Sequence, residues 1–438
     1  MTAPAPAGAD PVAIVAASRQ GHEPWFAFEQ PDRAGYALAA TGSLCALEAR
    51  GADRFAQVAR RWRALAAAAL ADPPGVGPAG AGLVALGGFA FDPGGGQAAQ
   101  WDGFAPASLV LPEIALARGG ERVSLTVNVL AHPDDTADDL LGRAITRLDS
   151  LRSAPLPLID PSPVGTFRVQ SALAPAHYEQ AVAGAVSRIK AGEIEKIVLA
   201  REVEVTAPLA YDPAAVLGLL REEFSSCYVF AVGRGDATFL GASPELLVRR
   251  DGQRVSTVAL AGSIGRSADP AVDDHLGERL LRSEKDREEN AIVARRIMRA
   301  LRPWSVWVTA TPEPVLVRVA NIQHLATPIR AQLASGAPVT QLADVLHPTP
   351  AVGAEPSSRA HALIPALEGL DRGWYAGPIG WTDAAGDGEF CVALRCALLR
   401  DRSARLLAGC GIVGDSDPAA ELAETEVKLQ ALLPVLST

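Results

Sequence analysis

Apolar positions fall into two kinds of stretch along this chain. Between Thr136 and Leu151, Leu140, Leu141, Ile145 and Leu148 recur at helical spacing, which predicts an amphipathic helix. The Ala/Arg-rich stretch from Arg50 to Ala71 reads as a second helix. Between them lie continuous apolar runs of β character, Leu83–Phe91 and Leu109–Leu116, followed by Val123–Leu130. Asp92-Pro-Gly-Gly-Gly-Gln97 is a loop by composition. Residues 1–150 are therefore predicted to be mixed α/β.

Pro155, Pro157, Pro161 and Pro163 crowd residues 152–166, the best linker candidate in the chain. They divide it into an N-terminal α/β part, 1–165, and a longer region, 166–438, within one body. The second region opens with a helix from Pro175 to Ala191, stopped by Gly192. A strand follows over Glu195–Val205, then a helix over Pro213–Phe224. A hairpin is expected from Tyr228–Val232 and Ala237–Gly241 around Gly233-Arg-Gly-Asp236, where the Arg-Gly-Asp tripeptide is read as turn chemistry. One long helix is expected from about Pro270 to Leu301, ended by Pro303, with two short strands in 305–320. Thr327, Pro328 and His347–Pro356 mark a loop-rich region. Strands over Ala376–Thr382, Phe390–Leu399 and Ala404–Val413 and a closing helix over Pro418–Leu433 complete the pattern, which contains no internal repeat.

Composition narrows the function. Of 438 residues, 49% are hydrophobic and 21% charged, ordinary globular usage that excludes disorder as the main state. A net charge of −10 leaves no basic footprint for nucleic acid. Five scattered cysteines without a CxxC pair support neither a disulfide framework nor a zinc finger. No apolar run reaches the roughly 18 residues of a membrane span, and the N-terminus lacks a basic, then apolar, leader pattern. A cytoplasmic protein is expected. Only four of the 40 basic residues are lysines, Lys190, Lys196, Lys285 and Lys428, so a lysine in an apolar segment is notable.

Several positions carry possible chemistry. Lys196 stands in Glu195-Lys-Ile-Val-Leu-Ala200, where desolvation favours a neutral amine that can act as a base; a lysine snorkelling to water is the plain alternative. Glu245, before Leu246-Leu-Val248, has the setting of a carboxyl held protonated, or of a solvent-facing glutamate at a strand start. Asp286 and Glu289 share a helix face that runs on into Ile292 and Val293. Glu421 and Glu424 repeat the spacing on the closing helix, with Lys428 one turn on. Two such pairs suit a hard cation bound through oxygen, magnesium best of all, although charged helix faces are usually just solvated. The glycine segments Ala261-Gly-Ser-Ile-Gly265 and Ala408-Gly-Cys-Gly-Ile412 are expected to follow strands and could offer amides to a carboxylate. Arg395 is expected in a strand, where its guanidinium fork needs a partner such as a substrate carboxylate. Tyr375 could add a hydroxyl, and His347 lies on a proline-fixed loop.

Six blocks occur in order: Lys196-Ile-Val-Leu-Ala-Arg201, Gly241-Ala-Ser-Pro-Glu-Leu-Leu247, Ala261-Gly-Ser-Ile-Gly-Arg266, Ser283-Glu-Lys-Asp-Arg287, Leu346-His-Pro-Thr-Pro-Ala-Val-Gly353 and Ala408-Gly-Cys-Gly-Ile-Val413. Together they resemble the chorismate-utilising enzymes, most closely the isochorismate synthases, over about residues 170–435. Ala354-Glu355 departs from the Gly-Gly usual there. The resemblance implies a large α/β (α+β) fold of two packed β-layers flanked by helices. It also implies Mg2+-dependent addition of water at C2 of chorismate with loss of the C4 hydroxyl. Carried over by motif, Lys196 is the general base, Glu245 the general acid and His347 a histidine near C4. Glu289 and Glu421 are the metal carboxylates, supported by Asp286 and Glu424. Gly262, Ser263, Tyr375, Arg395, Gly409, Gly411 and Lys428 are the expected substrate contacts. Lysine at 196 implies water rather than ammonia as nucleophile, hence no glutamine amidotransferase subunit; a monomer is expected. The product would serve menaquinone or catechol siderophore biosynthesis. Salicylate synthases share the lysine and are the nearest rival. A non-catalytic chorismate-binding paralogue would have lost Lys196, Glu245 or a metal glutamate, and all are present.

Overall fold

Strand-forming segments from both ends of the chain interleave in two antiparallel sheets of this computed structural model, which describes residues 1–71, 77–160 and 163–437. In the first sheet, Trp25–Gln30 pairs with Tyr228–Arg234, joining the N-terminal strands to Ala237–Ser243, Cys396–Arg400, Ser403–Ile412 and Lys196–Thr206. In the second, Val84–Phe89 pairs with Pro378–Asp383, which leads through Gly388–Val392 and Leu246–Asp251 to Arg254–Gly265 and Ile322–Leu333. One apolar core draws Phe28, Phe230 and Phe239 from the first sheet and Leu86, Phe89 and Phe390 from the second. Helices pack outside: Glu284–Leu301 lies on Arg254–Gly265 and Ile322–Leu333, and Pro418–Leu429 lies on Ser403–Ile412. This is the two-layered α/β architecture expected from the resemblance. No helix among the described residues is long and apolar enough to cross a membrane.

The proline-rich stretch carries no regular structure from 151 to 160, and Leu156 and Ile159 pack against the first sheet's outer core; Pro161 lies outside the described residues. Most predicted elements appear within a few residues of their expected ends. Four expectations need correction. The run Leu109–Leu116 is two strands, Ala107–Leu111 and Ile114–Gly119, one in each sheet. Phe390–Leu399 likewise divides into Gly388–Val392 in the second sheet and Cys396–Arg400 in the first. A run buried on both faces has no polar alternation to mark such a crossing.

The long helix is broken into Pro270–Arg282 and Glu284–Leu301 at Ser283, whose extended backbone lets its hydroxyl accept from the Asp286 amide. Thr327 and Pro328 lie not in a loop but within the strand Ile322–Leu333. Along one edge of that strand, Ser305–Ala310 pairs down to Ile329 and Val315–Arg318 pairs up from Ala326. Pro328 falls in the gap between them, where a missing N–H breaks no ladder bond.

Asn290 fastens the helix Glu284–Leu301 to two strands. Its amide donates to the Ala259 carbonyl at 3.1 Å and the Leu325 carbonyl at 3.0 Å, and its carbonyl accepts from the Thr327 hydroxyl at 2.6 Å. An Asn290→Ala variant leaves these buried groups unmatched and should lose about 3 kcal/mol of unfolding free energy. Denaturant titration followed by circular dichroism measures this; a loss under about 1 kcal/mol contradicts the role.

Candidate active site

The two glycine segments lie inside strands, not after them, and their backbones wall a cavity closed by the helices Glu284–Leu301 and Pro418–Leu429. Gly262 occupies a register shift between Leu260 and Ser263 with φ of +80°, and a Cβ there would come within 3.0 Å of the Asp286 side chain. On the other wall, Cys396–Arg400 pairs with Ser403–Ile412 only as far as Leu406. Opposite the remaining residues, the Val198 and Ala200 amides bond to the Gly353 carbonyl and the Glu368 carboxylate rather than across the ladder. Gly409 and Gly411, their register partners, therefore turn their amides to the open edge at the cavity.

Lys196 starts its strand and is fully buried. Its Nζ donates to Glu289 Oε1 at 2.8 Å. Desolvation by Ile197, Val198 and Leu199 is thus only part of its setting: a carboxylate from the opposite layer stands against it. A Cβ on Gly411 would lie 2.7 Å from Glu289 Oε1 and 2.9 Å from Lys196 Cε, so only glycine lets this pair sit at the wall.

Glu245 precedes the strand Leu246–Asp251 and is 2% exposed. Its amide donates to the Ser243 hydroxyl. Burial raises its carboxyl to about 8, against the opposing pull of the Lys196 charge and the Thr349 hydroxyl. It is a neutral acid at pH 7, able to give a proton.

Asp286, Glu289, Glu421 and Glu424 all line the cavity. Burial pushes Asp286 above the usual carboxylate range; the Ser283 hydroxyl opposes this, and the charges of Glu289 and Glu424 add to it. Burial raises Glu421 likewise, opposed by Ser416 and reinforced by Glu424. For Glu424, burial is outweighed by Lys428, 2.7 Å away, and the carboxyl is held at about 2. The Ser263 hydroxyl donates to Glu424 at 3.2 Å, and Lys428 Nζ also donates to the Gly409 carbonyl at 2.8 Å. Cys410 Sγ lies near Glu421 and Glu424, where burial pushes its thiol up to about 12 and it donates to the Glu421 carbonyl at 3.4 Å.

Arg395 is not in a strand. It sits with φ of +48° on the crossover between the sheets, where three residues separate the two strands. No carboxylate among the described residues lies within ion-pair distance of it. With Tyr375 it lines the cavity.

His347 does not line the cavity. Its Nε2 is 2.9 Å from the Phe91 carbonyl and its ring meets Phe91 edge-on. The histidine that does face the cavity is His324, in the strand Ile322–Leu333 opposite Ser263. Burial, with the charges of Arg395 and Lys428, lowers it to about 3, so the imidazole is neutral, and its Nε2 has no hydrogen-bond partner among the described residues. Reading 322–333 as a strand would have exposed this signal, because His324 alternates with Gln323 and Leu325. Arg372, also unremarked in the sequence, lines the cavity beside Val198 and Val352.

The chain is 41% identical over 429 residues to the salicylate biosynthesis isochorismate synthase of Pseudomonas aeruginosa, covering 98% of this chain and 88% of that protein. It is 37% identical over 365 residues to the isochorismate synthase MenF of Bacillus subtilis, covering 81% of this chain and 75% of that protein. The solved structure of MenF, the menaquinone-specific isochorismate synthase from Escherichia coli, matches with a TM-score of 0.83 at 28% identity, covering 100% of this chain and 94% of the other. The family model described as chorismate binding enzyme matches residues 1–437, and the chain belongs to that family.

Proposed function

We propose that this chain is an isochorismate synthase, an isomerase that adds water at C2 of chorismate and releases the C4 hydroxyl. The observation that carries the reading is an acid held neutral on the cavity wall, Glu245, with a buried lysine, Lys196, directly behind the lining residues Glu289 and Gly411 and close enough to act on the charge of Glu245. The names of the relatives support it.

The substrate carries two carboxylates into an acidic protein, so the cations lining the cavity decide its orientation. Arg395 supplies a fork for one carboxylate, with the Tyr375 hydroxyl and the Gly409 and Gly411 amides as further donors. Lys196 acts in its neutral amine form, taking a proton from water as oxygen attacks C2, and its ion pair with Glu289 is the state that this transfer leaves behind. Glu245 gives its proton to the departing C4 hydroxyl, which leaves as water. One proton is taken up and one released, and the substrate is isomerised. His324, a neutral imidazole whose Nε2 has no hydrogen-bond partner among the described residues, is suited to hydrogen-bond a ring hydroxyl near C4, whereas His347 is turned to Phe91.

Magnesium is part of the proposal. Asp286 and Glu421 are pushed up by burial and by neighbouring carboxylates, which means that the cluster is short of positive charge; four carboxylates lining one cavity fit a hard divalent cation. Glu289 and Glu421, supported by Asp286 and Glu424, would hold the ion, which would supply charge to offset the substrate carboxylate. Water as nucleophile makes a glutamine-hydrolysing partner unnecessary.

Chorismate incubated with the protein and magnesium should give isochorismate in a reversible mixture, with little pyruvate. Chelator, or Glu421→Gln, should abolish the conversion. Chromatography checks the outcome: salicylate with stoichiometric pyruvate would make the chain a salicylate synthase, and full activity in chelator would remove the metal.

Glu245 must be protonated to act. Its raised value of about 8 in the free protein implies that kcat/KM falls as pH rises through it. Glu245→Gln should lose about 10²–10⁴ in kcat while still binding chorismate. A variant within a few-fold of wild type would move the acid role to another group.

A further inference from the structure

Between the site of the base and the site of the acid lies a buried ion pair that the reaction itself does not use. Arg372 and Glu368 are 4% and 3% exposed. Arg372 Nε donates to Glu368 Oε2 at 3.0 Å, Nη1 to the Val352 carbonyl at 2.9 Å and Nη2 to the Val198 carbonyl at 2.9 Å. Glu368 Oε1 also accepts from the Ala200 amide at 2.6 Å. The guanidinium lies over the Phe91 ring, 4.3 Å from its centroid, and the Phe91 carbonyl is the group that His347 engages. The Tyr375 amide donates to the Arg372 carbonyl at 2.9 Å.

We propose that Arg372, held by Glu368, is a positioning residue that braces the junction between the strand bearing Lys196 and the turn supporting Glu245, which the backbone also joins through the Val198 amide and Gly353 carbonyl at 2.7 Å and the pairing of Lys196 with Glu355. This rests on the isochorismate synthase reading and deepens it. Val198 is two residues from Lys196 on the same strand. Val352 belongs to the turn Thr349–Gly353, closed by bonds from the Val352 and Gly353 amides to the Thr349 carbonyl at 3.1 and 2.8 Å. The Thr349 side chain in turn lies against the Glu245 carboxyl. One rigid guanidinium thus grips the base-bearing strand with one amino group and the acid-supporting turn with the other. Arginine alone has the fork for this; lysine offers a single nitrogen to acceptors that lie on three sides. A buried ion pair contributes little net stability compared with apolar packing, so stability is a weak reason for one at the wall of a catalytic cavity. Geometry is a better one, since small misplacements of reacting groups cost rate steeply. The place of His347 follows as well: it fixes Phe91, on which the guanidinium rests.

Arg372→Lys and Glu368→Gln, each in the full chain with magnesium and chorismate, test this. For Arg372→Lys, kcat should fall about 10²-fold with KM changed less than about threefold. The alkaline limb of its pH profile should shift, because the Thr349 contact with Glu245 loosens. Guanidinium ion added to Arg372→Ala should recover part of kcat without raising Tm. Glu368→Gln keeps the acceptor for Ala200 and the shape of the site; it should fold and lose about tenfold in kcat in the same pattern. It carries the test if the arginine variants fail to fold. An Arg372→Lys or Glu368→Gln enzyme with kcat within threefold of wild type overturns the proposal. So does a rise in KM at unchanged kcat, which would make Arg372 a substrate contact, and so does a lower Tm with an unaltered pH profile, which would make it structural only. A wild type that forms no isochorismate overturns the underlying reading instead, so the two failures are separable.

Discussion

Two opposite charges meeting below a glycine govern this molecule. Lys196 comes from the first sheet and Glu289 from a helix packed on the second, and at 2.8 Å each neutralises a charge that the other's layer could not bury alone. Lys196 is buried while Glu289 keeps 17% of its side chain exposed, so removing Glu289 leaves a buried ammonium uncompensated, at a cost of about 3–5 kcal/mol, and removing Lys196 costs less. The pair therefore links the convergence of three elements, Lys196–Thr206, Glu284–Leu301 and Ser403–Ile412, to the absence of a side chain at Gly411. The cavity exists where they converge.

Around that pair the charges are graded. Glu424 is held ionised by Lys428, Asp286 and Glu421 are raised by burial and by their neighbours, and Glu245, with no cation bonded to it, is neutral. Carboxyl groups of one chemical type thus separate into an ion-pair partner, a cation-binding set and an acid through environment alone. The protein's net charge of −10 is opposed locally: Lys196, Lys285 and Lys428, three of its four lysines, stand at or beside this one cavity, together with Arg372 and Arg395. Lys196, Arg372 and Lys428 are each paired with a carboxylate, so the charge left to meet an anionic substrate is chiefly that of Arg395.

Much of this was legible in the residues before any coordinates. Lys196, Glu245 and the two carboxylate pairs stood out as charges beside apolar runs, each with an ordinary alternative, and the order of six blocks decided among them. What stayed hidden has a common physical origin. Strand crossings between the sheets, at Pro112 and at Ala393–Arg395, have no polar alternation to announce them, so Arg395 was placed in a strand. Pro328 looked like a breaker because sequence cannot show a gap between edge partners, and with that strand went His324. His347, beside two prolines, drew attention by its loop, while its ring is turned to Phe91. The counter-charge on Lys196 was invisible because its partner is 93 residues away.

The central claim is that oxygen from water enters at C2 as the C4 hydroxyl leaves. Running the reaction to partial conversion in H2¹⁸O and locating the label by mass spectrometry tests it directly. The account predicts isochorismate with a single ¹⁸O, on the C2 hydroxyl. Isochorismate formed without label would mean that the original hydroxyl migrates, and would contradict the assignment of Lys196 as the base that activates water.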